Sequence, residues 1–116
     1  MQNNEPISVN QDLLVNAWQQ TLPTTLQEGD HAQIEPDGAN PQGLRIHIEA
    51  AGRQMYTFDF QCAYVDSREV RVDLVDVERD GVSVDERTQV IQEMAQTYTR
   101  NIHECAQALH DITHEH

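Results

Sequence analysis

The chain contains no lysine. Its seven basic residues are all arginines, set against 20 acids, for a formal net charge of −13. A field of that sign repels phosphate backbones and anionic headgroups, so neither direct nucleic-acid binding nor membrane-surface adhesion is expected. Cysteine is almost as scarce. Cys62 and Cys105 are too few for a disulfide scaffold and read as reduced core residues of a cytoplasmic protein. No apolar run approaches the length of a membrane span. The opening MQNNEPISVN is polar and lacks the basic and apolar regions of a secretory leader.

Catalytic signatures are missing too. There is no Gly-rich phosphate loop, nucleophile elbow, CxxC pair or HExxH. Ser8, Ser67 and Ser83 fall at a cap or in turns, where a hydroxyl has a structural job. A thiol nucleophile would have to come from one of two cysteines expected to be buried. We therefore expect a protein that is not an enzyme and needs no cofactor.

What is present is patterning. At 116 residues the chain is one domain by size, with residues 1–7 a loose polar arm and 8–116 the folded unit. Ser8-Val-Asn-Gln11 fits a capping box, and Leu13, Leu14, Ala17 and Trp18 recur at helical spacing until Pro23. The period then becomes two. Leu44, Ile46 and Ile48 alternate with Arg45, His47 and Glu49; Tyr56, Phe58, Phe60, Cys62 and Tyr64 alternate with polar neighbours; Val70, Val72 and Leu74 follow. Such alternation marks half-exposed antiparallel strands. A weaker strand over 31–35 precedes them, and 36–43 reads as a loop. Val75 and Val77 break phase with Val70, Val72 and Leu74; a bulge near Leu74 and Val75, or a strand buried on both faces at its end, accounts for the slip, which is also compatible with partner contact on the outer face.

From Ser83 the helical period returns. Ser83-Val-Asp-Glu86 is a second capping box. Ile91, Met94, Tyr98, Ile102, Cys105, Leu109 and Ile112 then fall within roughly 40° either side of Tyr98 on a helical wheel. A sheet with one apolar face needs a cover, which the two amphipathic helices supply. The expected fold is two-layer α+β: an antiparallel meander of three or four strands, with a short N-terminal and a long C-terminal helix on one face. A final helix of about 30 residues would run about 45 Å, past a strand of about 33 Å. That overhang predicts a homodimer.

Two constellations suggest ligands. His110 and His114 lie four apart on one helix face, with Asp111 able to add an oxygen, so the three are the candidate metal ligands. Cys105 belongs instead to the buried stripe, and His103 lies too far along the helix to share an ion. Such a set points into water and supports weak divalent binding at most. Asp76, Glu78 and Asp80 before Gly81 copy the first half of an EF-hand loop, but Arg87 stands where the closing glutamate belongs. A turn is the simpler reading. His47 opposite Asp59 reads as an ordinary cross-strand polar contact. The expectation that remains is a non-catalytic acidic module, an adaptor, inhibitor or chaperone-like protein, that binds another protein of unknown identity, with a basic protein as one candidate partner. The alternatives are a nucleic-acid-mimicking inhibitor and a metal-responsive protein using the C-terminal histidines.

Overall fold

The computed structural model describes residues 10–52, 55–67 and 69–113. Helix α1 (Gln11–Thr21) leads through a 3-10 turn (Leu22–Thr25) into a meander of β1 (His31–Pro36), β2 (Gly43–Glu49), β3 (Tyr56–Tyr64), β4 (Val70–Arg79) and β5 (Val82–Ser83). Helices α2 (Gln89–Ala108) and α3 (His110–Thr113) close the chain. Strand order follows sequence order, and each neighbouring pair is antiparallel. The α+β arrangement is as expected, with one strand more than foreseen. Among the described residues no helix is long and apolar enough to cross a membrane.

The core lies between the two helices and one face of the sheet. α1 contributes Leu14 and Trp18; the sheet contributes Ile46, Ile48, Phe58, Phe60 and Val77; α2 contributes Ile91, Tyr98, Ile102 and Cys105. Phe58 stacks on Phe60 at 6.4 Å and meets the Tyr98 ring at 5.1 Å. Trp18 meets Tyr64 edge-on and donates its indole N–H to the Tyr64 hydroxyl at 3.2 Å, which lets a buried Trp keep its donor satisfied. Cys62 and Cys105 are both free and buried.

Both helix starts differ from expectation. α1 is capped by Asn10, whose Oδ1 accepts the Leu13 N–H at 2.9 Å; Ser8 lies outside the described residues. Leu13 faces solvent at 58 % exposure, so the apolar stripe runs through Leu14, Trp18 and Leu22. The second helix starts later because Asp80 and Gly81, both at positive φ, fold Val82 and Ser83 back onto Arg79 and Glu78. An Asp-Gly pair is the preferred two-residue hairpin turn. Thr88 then becomes the N-cap residue. At its far end α2 stops at Ala108 and turns at Leu109 before α3. Twenty residues span about 30 Å, no longer than ten-residue β4 at about 33 Å. The overhang, and the argument for a dimer built on it, disappears.

The bulge falls where the phase slip placed it. Asp59 pairs with Asp76 and Phe60 with Leu74, which leaves Val75 as the extra residue. Val75 is exposed and Val77 fully buried. Replacing Phe58 with Ala should cost about 3–5 kcal/mol, whereas Leu13→Ala should change stability by less than about 0.5 kcal/mol. Urea denaturation midpoints check both.

Candidate binding face

With both helices on one side, the opposite face of the sheet has no covering layer among the described residues. Register sorts its side chains into rows. The central row is Gln33, His47, Asp59 and Asp76; beside it run Glu35, Arg45, Gln61 and Asp73, and on the other side His31, Glu49, Thr57 and Glu78. Six carboxylates (Glu35, Glu49, Asp59, Asp73, Asp76, Glu78) thus share the face with two guanidiniums, Arg45 and Arg71. Part of the face is a depression of about 530 Å³ lined by Gln33, Glu35, Arg45, His47, Asp59 and Asp76, with Val75 also on its wall.

His47 Nδ1 lies 2.6 Å from Asp59 Oδ1, and its other nitrogen faces Glu49 Oε2 at 3.9 Å. A histidine held between two carboxylates has an orienting partner on each side and no nucleophile of its own to activate. Asp76 is placed less comfortably. It lies directly across from Asp59, a like-charge pairing that disfavours the sheet. Its compensation is the Ser83 hydroxyl, 3.2 Å from both carboxylate oxygens. These two carboxylates are the part of the face best placed to receive a cation.

One edge of the face is built by the 36–43 loop. Gln11 Nε2 lies 2.9–3.1 Å from the carbonyls of Asp37, Asn40 and Gly43, so the first residue of α1 gathers the loop around its amide. Gly43 packs tightly against the loop, where an added Cβ would sit 3.1 Å from the Asp37 side chain and force it to shift. Asp37 is buried and accepts the Ala39 N–H at 3.0 Å and the Gln61 amide at 2.8 Å. Those two bonds hold its carboxyl below the ordinary 3.8.

The other candidates separate. His110 and Asp111 lie in α3, and His114 is outside the described residues. His103 is exposed on α2, beside β4. Among the described residues no group of three or more His, Cys, Asp or Glu is arranged to hold a metal ion. The EF-hand-like stretch is a hairpin: Asp76 and Glu78 belong to β4, and Asp80 to the turn. Burial pushes the thiols of Cys62 and Cys105 up to about 12, which removes the thiolate that nucleophilic chemistry requires.

Sequence reasoning found His47 against Asp59 and missed Asp59 against Asp76. Alternation says which side chains share a face, but only the bulge says which carboxylates meet. It also missed the amide contacts of Gln11 and Gln61, which carry no local pattern.

A carboxyl held low in the folded state contributes stability above its unfolded value, and that contribution is lost as pH falls through the folded value. Asp37→Asn should therefore lower the urea midpoint at neutral pH. The gap between variant and wild type should narrow below about pH 3.8. Comparison with protein-family models, curated proteins and solved structures gave no match.

Proposed function

We propose that the chain is a non-catalytic protein-binding module, an adaptor, inhibitor or chaperone-like protein, whose uncovered sheet face receives a basic segment of another protein. The observation that carries this reading is the in-register pairing of Asp59 with Asp76 on a face without a covering layer. Two carboxylates placed side by side are relieved by an arginine or lysine from outside, which adds charge-assisted hydrogen bonds where repulsion stood. The net charge of −13 favours approach of such a partner from a distance. The two buried, unbridged cysteines suit action in the cytoplasm.

A second reading, mimicry of a nucleic acid, draws on Asp73, Asp76 and Glu78 along one strand, with Asp80 at the turn. Arg71 works against it, because it lies 3.3 Å from Asp73 and interrupts the line of charge.

Both readings can be tested by capture from a native lysate at low and high salt, with wild-type bait and an Asp59→Asn, Asp76→Asn variant. A basic protein held by wild type at low salt should be released at high salt and bind the variant at least about tenfold more weakly. Displacement of that protein by duplex DNA would select mimicry. Equal retention by both baits would refute the face as the docking surface.

A further inference from the structure

The sheet has two edges, and the chain treats them differently. β1 is sealed. Gln19 of α1 donates its amide N–H to Ala32 O at 2.8 Å, and its Oε1 accepts the Ile34 N–H at 2.9 Å. One side-chain amide thus stands in for a neighbouring strand. β1 also ends in Pro36, which cannot donate to a ladder.

The other edge belongs to β4. β5 pairs there only with Glu78 and Arg79, followed by one bond from Val84 N–H to Val77 O. Among the described residues, nothing pairs with the outer edge of Val70–Leu74. Which groups point outward follows from both ends of the β3–β4 ladder. Val65 N–H bonds Glu69 O at 2.9 Å, so alternation places Val70, Val72 and Leu74 at positions not hydrogen-bonded to β3. Val77, opposite Phe58, turns its carbonyl outward to Val84, and the extra residue Val75 brings the two ends into phase. Val70, Val72 and Leu74 therefore offer their N–H and C=O groups to whatever lies alongside.

We infer that a second copy of the chain docks on this edge, its own Val70–Leu74 segment running antiparallel about a two-fold axis at Val72. The five residues Val-Arg-Val-Asp-Leu are complementary to themselves in that register. Val72 meets the partner's Val72, Val70 meets the partner's Leu74, and Arg71 meets the partner's Asp73. The first two kinds of pair exchange backbone hydrogen bonds. The third falls at a non-hydrogen-bonded position, where opposing side chains lie closest. Centring the axis on Arg71 or Asp73 would set like charges against each other, and a slip by one residue would reverse every side chain. Charge therefore selects both the occupant and the register. In one copy, among the described residues, Arg71 has only the Asp73 of its own strand, at 3.3 Å.

Apolar contact supports the same site. Val72 and Leu74 are half-buried at the edge. Leu74 also lines a groove of about 660 Å³ with Ala95 and, at its polar margin, Glu86, Gln92, Arg100 and His103, so an added strand meets a mixed surface on its helix side as well as backbone. β5 lies beyond the five residues and leaves them accessible.

The test is sedimentation of the full chain from low to high micromolar concentration, with Arg71→Asp and Asp73→Arg variants. Wild type should approach twice its 13.3 kDa. Each single variant places like charges at both symmetry-related positions and should self-associate at least about tenfold more weakly. Mixed together, the two variants should form a dimer again, because each supplies the charge that the other lacks. In wild type, the Val72 amide should gain protection from hydrogen exchange as the concentration rises. A wild type that remains a monomer throughout overturns the proposal, as do single variants that dimerise as tightly as wild type. Protection of Val72 where sedimentation shows a monomer also overturns it, since a segment of the same chain would then cover the edge.

Discussion

The extra residue at Val75 is the constraint on which the outer half of the structure depends. Without it, β4 would carry the phase of Val70, Val72 and Leu74 to its end, and Val77 would point into water. With it, Val77 is fully buried and the core extends to the last turn of the meander. The same insertion brings Asp76 rather than Val75 opposite Asp59. Burial of one valine and repulsion between two carboxylates thus arise from a single backbone irregularity. The hydrophobic gain decides the outcome: burying a valine is worth about 1.5–3 kcal/mol, whereas a like-charge pair across a sheet, here half-buried, costs on the order of 1 kcal/mol.

Neutral amides connect the elements around that core. Gln11 gathers the 36–43 loop, Gln19 seals the β1 edge, Gln61 holds Asp37, and Gln92 reaches the Glu86 carbonyl at 2.6 Å ahead of α2. An amide both donates and accepts, so it satisfies backbone groups at loop ends and strand edges without adding charge. In a chain with 20 acids and no lysine, the contacts of Gln11, Gln19 and Gln92 to backbone groups stabilise the fold independently of salt and pH, whereas Gln61 acts on the titratable Asp37. Ion pairs contribute little by comparison. Arg71–Asp73 and Arg87–Asp85 are exposed pairs between residues two apart in sequence, where solvent screens most of the attraction.

Periodicity made much of this legible. The switch from a period of 3.6 to two and back located every layer. The phase slip located the bulge, and the stripe from Ile91 to Leu109 located the face of α2 that the core covers. The errors lie where short-range chemistry overrides periodicity. Asp80-Gly81 closes a two-residue hairpin and takes Val82 and Ser83 from the helix; Asn10 caps α1 in place of Ser8; Leu13 faces water although an apolar residue there matches the pattern. The candidate face was only half legible. Alternation identified its members, whereas the pairings within it depend on register, which a single strand does not encode. The proposed metal set extends to His114, outside the described residues; what the structure adds is that the chain turns at Leu109 just before His110.

The two proposed surfaces bear on each other through charge. Two copies that each carry −13 repel at long range, so association requires local complementarity where they touch. Val70–Leu74 has a guanidinium and a carboxylate at the non-hydrogen-bonded positions of the seam, and nowhere else on the open face do opposite charges stand two residues apart on an unpaired edge. The paired carboxylates Asp59 and Asp76 lie outside that segment. A dimer formed there would keep the rows that end in Asp76 and Glu78 clear of its axis and join the two open faces into one continuous sheet surface. The seam would be close to neutral and the flanks acidic. A basic partner could then engage either flank without competing for the dimer contact, so neither proposed surface depends on the other.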